Sequence, residues 1–574
     1  MKKILLTAIN AKYIHSNLAI HSLKASAGEC GASVELLEYT INQQKDEILR
    51  DLFLRGADVL CFSCYLWNLE YIEAIATEYH KLCPEVPIWL GGPEVSYETR
   101  AFLESHAYVK GVMIGEGEDT FRELCAYYQE EGEKESSLLK IGGLAIRMEE
   151  GEIRFTQPRP PKPLSEVPFC YDDLQEYEHR IIYYESSRGC PFSCSYCLSS
   201  VDKRLRFRDL ELVKKELQFF LDRKVPQVKF VDRTFNCDHH HAMTIWRFLT
   251  EKDNGTTNFH FEISADLLRE EELDLISRMR PGLIQLEIGV QTTNPETLRE
   301  IRRTMDLEKL KENVLRIRSF GNVHQHLDLI AGLPLEDYES FRRSFDEIYA
   351  LWPDQLQLGF LKVLKGSYVY ERAKEYGIVY HETPPYEVLC TKWLSYEELL
   401  KIKAVEEMLE VYYNSGQYAV TMKIVNALAD SAFDFFLELG QFYERKGYGG
   451  MQHSRLRRCE ILLEFLKEKG APGELFEEAL TFDLYARENC KTRPSWAPDT
   501  SEYKELTRRY CEKGKLEHLE PFHYVFPRKR EGGVKTLPER LEEPAYVLFH
   551  YGNADPLDHQ AKTEWICTSS SGNA

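Results

Sequence analysis

The run Cys190-Pro191-Phe192-Ser193-Cys194-Ser195-Tyr196-Cys197 constrains this chain more than any other stretch, because it sets three thiols in one short loop with the spacing C-x3-C-x2-C. The loop follows a strand-like run over residues 181–187. Three clustered thiolates can hold a [4Fe–4S] cluster by three of its irons, and ferredoxin loops use comparably close spacings. Full ligation takes four cysteines, so one iron of such a cluster stays open for chemistry. The competing reading is zinc, which takes four Cys or His ligands in paired, knuckle-like spacing. No second C-x2-C pair follows at finger-like distance. The nearest candidates are Cys237 and the run His239-His240-His241, and that run reads as a solvated loop or the start of a helix.

At 574 residues the chain has room for roughly three to four domains. Its 43% hydrophobic and 29% charged residues are those of a soluble globular protein. The apolar run after Lys3 is interrupted too early for a signal peptide, and no apolar run reaches the length of a membrane span. The expectation is a soluble, cytoplasmic protein. Fifteen cysteines without a repeating framework then read as reduced thiols, with the clustered three as ligands. A formal charge of −21 argues against sequence-independent nucleic-acid binding, which needs surplus Lys and Arg. The short basic run Arg528-Lys529-Arg530 reads as a solvated loop.

The first ~130 residues alternate apolar runs with amphipathic segments, the pattern of βαβ units on a parallel sheet. Strands are expected over residues 3–9, 33–39, 58–64, 88–91 and 111–114, and helices over 18–28, 46–56, 69–82, 97–105 and from 118. This is a flavodoxin-like or Rossmann-like layer, in which ligands bind at the carboxyl ends of the strands. Ser63, the run Gly91-Gly92-Pro93 and the run Gly115-Glu116-Gly117-Glu118 fall at those ends, and the glycines let a backbone approach a ligand closely. Residues 131–180 read as a connector. They hold a hairpin over 141–147 and 152–156, then the polyproline-like strap Gln157-Pro158-Arg159-Pro160-Pro161-Lys162-Pro163. Residues 181–365 alternate again, with strands over 181–187, 227–231, 259–264, 283–289, 326–330 and 355–360. Residues 366–574 read as mainly helical, with long amphipathic stretches over 396–413, 418–446 and 455–469. Tyr412, Tyr413, Phe433, Phe435 and Phe436 are assigned to the core there, and Cys390, Cys459, Cys490 and Cys511 lie too far apart in sequence to announce a second cluster.

The cysteine spacing, with Tyr196 before the last thiol, resembles the signature of the radical S-adenosylmethionine (SAM) enzymes. The resemblance implies a partial (β/α)6 barrel over residues 181–365, with SAM chelated to the open iron and split into methionine and a 5′-deoxyadenosyl radical. The stretch Phe230-Val231-Asp232-Arg233-Thr234-Phe235-Asn236 is similar to a family segment, with Arg233 where a second acid is usual. Glu262, Gln291 and Asp328 fall where relatives place groups that contact SAM. The first 130 residues resemble the cobalamin-binding domain of B12-dependent radical SAM proteins, which implies that Ser63, Gly91, Gly92 and Gly115 line a cobalamin pocket. One departure stands out. Many cobalamin domains carry D-x-H-x-x-G after the first strand, whereas this loop reads Asn10-Ala11-Lys12-Tyr13-Ile14-His15. His15 lacks that spacing and reads as a loop hydrogen-bonder, so no histidine is expected on cobalt.

The leading expectation is thus an α/β protein in three parts: a cobalamin-binding-like domain, a radical SAM core and a helical C-terminal region resembling an uncharacterised branch of the superfamily. Its cofactors would be a [4Fe–4S] cluster, SAM and cobalamin, its partners a low-potential donor of flavodoxin or ferredoxin type and an unknown substrate, and its reaction the methylation of an unactivated carbon. Rearrangement or cyclisation without methyl transfer is the alternative. Methylthiolation of RNA would need a second cluster from Cys30, Cys61, Cys64 and Cys83, of which Cys61 falls in an expected buried strand. A non-catalytic corrinoid-binding or metal-binding protein is opposed by the intact cysteine loop.

Overall fold

Leu5 and Ile9 of the first strand, β1 (Ile4–Asn10), are buried in one hydrophobic cluster, while Ile4, Leu6 and Ala8 are buried in another. Alternate side chains point to opposite faces, so this strand is covered on both sides, as parallel strands with crossover helices must be. The computed structural model describes residues 1–130, 134–201, 203–511, 516–526, 537–552, 554–555 and 557–566. The chain divides into two units, one of Met1–Ile263, Ile301–Thr304 and Leu361–Thr391, the other of Ser264–Glu300, Met305–Phe360 and Lys392–Ala574.

In the first unit, β2 (Val34–Thr40), β3 (Val59–Ser63), β4 (Ile88–Gly91) and β5 (Val109–Met113) join β1 in the parallel order β2-β1-β3-β4-β5. Helices Leu18–Ser26, Lys45–Arg55, Leu69–Leu82, Thr99–Ser105 and Glu118–Gln129 lie between or after these strands in the chain. This is the flavodoxin-like order, whose switch point falls between β1 and β3. The hairpin read as part of a connector, β6 (Leu144–Arg147) and β7 (Ile153–Phe155), instead extends this sheet antiparallel from β5. It covers an edge that would otherwise present unpaired backbone groups.

Further along the first unit come β8 (Ile182–Tyr184), β9 (Ser187–Arg188), β10 (Arg206–Phe207), β11 (Gln227–Phe230) and β12 (Asn258–Ile263). Strands β8, β11 and β12 pair in parallel. The strand expected over 181–187 is two short pieces, and β9 pairs antiparallel with β10, closing a ribbon around the cysteine loop. The histidine run does open a helix, His239–Glu251, capped by Asp238. His241 is nevertheless buried rather than solvated. Its Nε2 lies 2.9 Å from Ser186 Oγ, and burial lowers its pKa to about 4.

The second unit contains three parallel neighbours, β13 (Ile284–Gln291), β14 (His324–Ala331) and β15 (Gln355–Phe360). Strands β8, β11, β12, β13, β14 and β15 head six βα units in chain order, the content of a partial (β/α)6 barrel. The chain then returns to the first unit for the helix Tyr368–Arg372 and the strands β16 (Val379–Tyr380) and β17 (Val388–Cys390). Helices Tyr396–Leu409, Ala419–Leu428, Ala432–Lys446, Arg455–Glu468 and Gly473–Arg487 follow in the second unit. The stretch expected over 418–446 breaks where Ser431 accepts a hydrogen bond from Asp434 N and caps a new helix. Tyr412, Phe433 and Phe436 are buried there, as core residues should be.

The mainly helical reading of residues 366–574 missed an antiparallel sheet of β18 (Glu517–Tyr524), β19 (Arg540–His550) and β20 (Lys562–Ile566). Its first strand buries Leu519, Glu520, Pro521 and Phe522 in succession, which erases the alternation that marks a strand. Pro521 is tolerated because β18 is an edge strand. Glu520 is buried with Arg493 and His518 as ion-pair partners. The basic run at 528–530 lies outside the described residues. No helix among those described is long and apolar enough to cross a membrane.

Gly92 has φ of 112°, and a Cβ there would stand 2.4 Å from the Cys64 carbonyl oxygen. Gly92→Ala should therefore cost about 2 kcal/mol, read as a lower thermal midpoint for the transition that unfolds the N-terminal sheet. An unchanged midpoint would contradict the packing described.

Candidate functional site

The carboxyl ends of β1, β3, β4 and β5 open onto a cavity of about 820 Å³ in the first unit. Ser63, Gly91, Gly92 and Gly115 all line it, together with His15 and Arg233. The lining also includes Gly189, Leu198 and Ser199, which flank the cysteines. Asn68 holds the switch point in shape. Its Nδ2 donates to Ile9 O and Ser63 O, each at 3.0 Å, and its Oδ1 accepts from Tyr65 N at 2.7 Å. Tyr65 and Trp67 stack at 4.6 Å and present aromatic surface to the cavity. At Gly115, with φ of 80°, nothing stands within 4 Å of where a Cβ would be. That leaves bare backbone for a large ligand to approach, so these loops fit a corrinoid.

His15 Nδ1 lies 2.7 Å from Tyr183 Oη, and the His15 backbone bridges to Ile181. Burial, with Lys12 and Lys229 nearby, lowers its pKa and favours the neutral ring. Lys12 belongs to the same loop, which is therefore pinned ahead of β8.

An ion-pair group missed by the sequence reading joins the loop after β5 to the ribbon around the cysteines. Arg188 lies 2.8 Å from Glu118, 2.7 Å from Glu185 and 3.3 Å from Glu116. Arg206 pairs with Glu116 as well. Glu116 and Glu118 stand in the quoted glycine loop, but their cationic partners come 70 and 90 residues later, and no spacing rule links them.

Within the cysteine loop, Cys190 and Cys194 are buried and Cys197 is half-buried. Ser195 N donates to Ile301 O at 2.9 Å, and Val369 N donates to Ser195 O at 3.0 Å, so two distant segments brace the loop. Arg303 Nη1 lies 3.7 Å from Cys194 Sγ, and Thr234 Oγ1 lies 3.9 Å from Cys190 Sγ. Burial pushes the Cys190 thiol up, and the neighbouring cysteines add to the effect, so ligation must displace protons. Asp232, fully buried, accepts from Ser186 N at 3.0 Å, Ser186 Oγ at 2.7 Å and Ser187 Oγ at 2.5 Å. It anchors the chain just before the loop, and burial raises its pKa to about 6.

Among the described residues, the one trio of Cys, His or carboxylate ligand atoms within 4.8 Å of one another is Glu474, Glu478 and His523. Those groups are already satisfied, since Glu478 pairs with His523 and Glu474 with Arg540. The three loop thiols, two buried and one half-buried, are the donor set that three irons of a [4Fe–4S] cluster take.

Of the three residues expected near SAM, Glu262 lies on β12 in the first unit, on the face opposite the buried Phe261 and Ile263. Gln291 and Asp328 lie in the second unit on neighbouring strands, where Gly289 pairs with Asp328 and the register slips before Gln291. Gln291 has φ of 75°, and its buried Oε1 has no hydrogen-bond partner among the described residues. A strained residue with an unsatisfied buried acceptor fits a donor group on a ligand. His326, not singled out from sequence, lies 3.1 Å from Asp328.

Beside this turn, Glu336 is buried, accepts from Thr292 Oγ1 at 2.5 Å and has a pKa raised by burial to about 8. A raised carboxyl contributes stability that is complete below its unfolded value of 4.5 and is lost as pH rises through about 8. The thermal midpoint of the wild type should fall from about pH 5 to about pH 9 more steeply than that of Glu336→Gln. Parallel curves would contradict the assignment.

Three known families match the chain: the B12 binding domain over residues 4–125, the Radical SAM superfamily over 184–348, and Protein of unknown function (DUF4080) over 374–532. The chain is 27% identical over 318 residues to the 2-(S-pantetheinyl)-carbapenam-3-carboxylate methyltransferase of Streptantibioticus cattleyicolor, covering 50% of this chain and 44% of that protein. It is 25% identical over 346 residues to the hopanoid C-3 methylase of Methylococcus capsulatus, covering 56% and 62%. The chain thus spans about half to three fifths of the length of these relatives. Among solved structures, the radical SAM methyltransferase TsrM of Kitasatospora setae, with cobalamin and a [4Fe–4S] cluster bound, shares the fold. Its TM-score is 0.54 at 20% identity, over 67% of this chain and 82% of that one. The cobalamin-dependent radical enzyme OxsB, with aqua-cobalamin and SAM bound, gives 0.58 at 14% identity, over 84% and 79%. With a B12-binding domain ahead of a radical SAM domain that carries C-x3-C-x2-C, the chain belongs to the B12-binding-domain-containing radical SAM proteins.

Proposed function

We propose that the chain is a cobalamin-dependent radical SAM enzyme that methylates an unactivated carbon. The observation that carries this reading is the shared cavity, which the glycine loops after β4 and β5 line together with residues flanking the cysteines. In this reading Cys190, Cys194 and Cys197 hold the [4Fe–4S] cluster, and Glu262, Gln291 and Asp328 position SAM. Ser63, Gly91, Gly92 and Gly115 line the corrinoid pocket. When bound, the cluster supplies the electron that splits SAM reductively, and the corrinoid carries the transferable methyl group. The chain's own residues orient these groups and keep water away. The Tyr65–Trp67 stack offers apolar surface, and Arg188 fixes the loop after β5 against the cysteine ribbon. His15, whose Nδ1 is engaged by Tyr183, would serve the loop rather than cobalt. The electron donor is a low-potential protein of flavodoxin or ferredoxin type. The fourteen described cysteines are all free, which suits the reducing cytoplasm.

Anaerobic reconstitution should yield iron and sulfide in the wild type and neither in the variant with all three loop cysteines changed to Ala. Reduction with SAM present should release 5′-deoxyadenosine, and a base-off corrinoid spectrum should be unchanged in His15→Ala. With the true substrate, 5′-deoxyadenosine and S-adenosylhomocysteine should accumulate in comparable amounts. Release of 5′-deoxyadenosine alone, with an unmethylated product, would assign cyclisation or rearrangement instead. Stoichiometric zinc on the three thiols would overturn the whole reading.

A further inference from the structure

The chain carries a formal charge of −21, and of the four basic side chains from 188 to 206 Arg188 and Arg206 pair with Glu116, Glu118 and Glu185, the other two being Lys203 and Arg204. Lys203 is exposed and donates to Ser193 Oγ, inside the cysteine loop, at 2.8 Å. The backbone of the exposed Arg204 lies against Gly189, where a Cβ would meet Arg204 O at 2.5 Å. On the other flank, the hydrogen bond from Ser195 N to Ile301 O brings Arg302 and Arg303 to the loop. Arg303 reaches Cys194 Sγ, while Arg302 is exposed and holds its guanidinium 3.6 Å from the Tyr368 ring. Tyr368 in turn precedes Val369, which donates to Ser195 O. Two separate segments thus bring cations against one short loop. The recorded contacts of the exposed Lys203 and Arg302 are with neutral partners, Ser193 for Lys203 and the Tyr368 ring for Arg302.

We propose that this basic rim around the cysteine loop is the docking surface for a small, acidic, one-electron carrier protein. The inference rests on reading the loop as a cluster site and adds the face by which its reductant arrives. An acidic partner is repelled by the net charge of the chain as a whole, so a local cationic rim decides where it lands more than how tightly it binds. Screening over about 8–10 Å at moderate salt confines that attraction to close approach. The half-buried Ser193 and Cys197 put the loop itself within reach of such a partner. On docking, the reduced carrier gives up one electron and the bound cluster takes it. No bond forms or breaks.

The test uses the full-length, anaerobically reconstituted protein and a flavodoxin as the carrier. Flavin fluorescence anisotropy should show binding that weakens with salt and weakens roughly tenfold or more in the double variant Lys203→Glu, Arg302→Glu. The same charge reversal at Arg50→Glu, on the exposed side of the helix Lys45–Arg55, should leave binding unchanged. Dithionite should bleach the cluster equally in wild type and double variant, which shows that both are folded and loaded, while reduced flavodoxin should bleach the variant more slowly. Equal flavodoxin binding in wild type and double variant, or equal weakening by Arg50→Glu, would overturn the docking surface. So would a structured RNA that binds with this charge dependence when flavodoxin does not. A protein that binds flavodoxin as expected yet holds no cluster would overturn the function reading instead.

Discussion

Two backbone hydrogen bonds at Ser195, one to Ile301 and one from Val369, hold the loop on which the chemistry depends. A loop with three cysteines has no hydrophobic core of its own, and burial already disfavours the Cys190 thiolate. Its shape must therefore come from backbone contacts to segments remote in sequence. The buried Asp232, gripping Ser186 and Ser187, does the same for the strand that feeds the loop. The loop is thus braced before any ligand arrives, and metal ligation then has to displace protons rather than fold a chain.

The second constraint is electrostatic. Arg188 sits among Glu116, Glu118 and Glu185, and removing one member would leave partly buried charge without a partner. That group fastens the glycine loop after β5 to the ribbon of β9 and β10, so the cavity wall and the cysteine loop hold their places together. The arrangement matters because a cavity wall made of glycine loops has little side-chain packing with which to fix itself. The ion pairs supply the rigidity that the bare backbone lacks.

Much of this was legible from residues alone, for physical reasons. Strands β1, β3 and β4 stand out because both faces are buried, which makes them short apolar runs between amphipathic helices. Ser63, Gly91, Gly92 and Gly115 could be placed because carboxyl ends of parallel strands gather at one rim, and all four do line one cavity. What escaped depends on long-range or non-periodic contacts. Arg188 and Glu118 are charged residues 70 positions apart and follow no spacing rule. Ile301 and Val369 act through backbone groups, which the identity of a side chain does not report. β18 was hidden by four consecutive buried residues, one of them a proline. The hairpin of β6 and β7 was seen as a hairpin, but its pairing with β5 depended on an edge visible only in the assembled sheet.

The central claim is that three cysteines hold a cluster and leave one iron open. Mössbauer spectroscopy of protein reconstituted with iron-57 tests it most directly. One iron of the four should change its isomer shift when SAM is added, and the change should vanish in Cys194→Ala. Four equivalent irons, indifferent to SAM, would contradict the account.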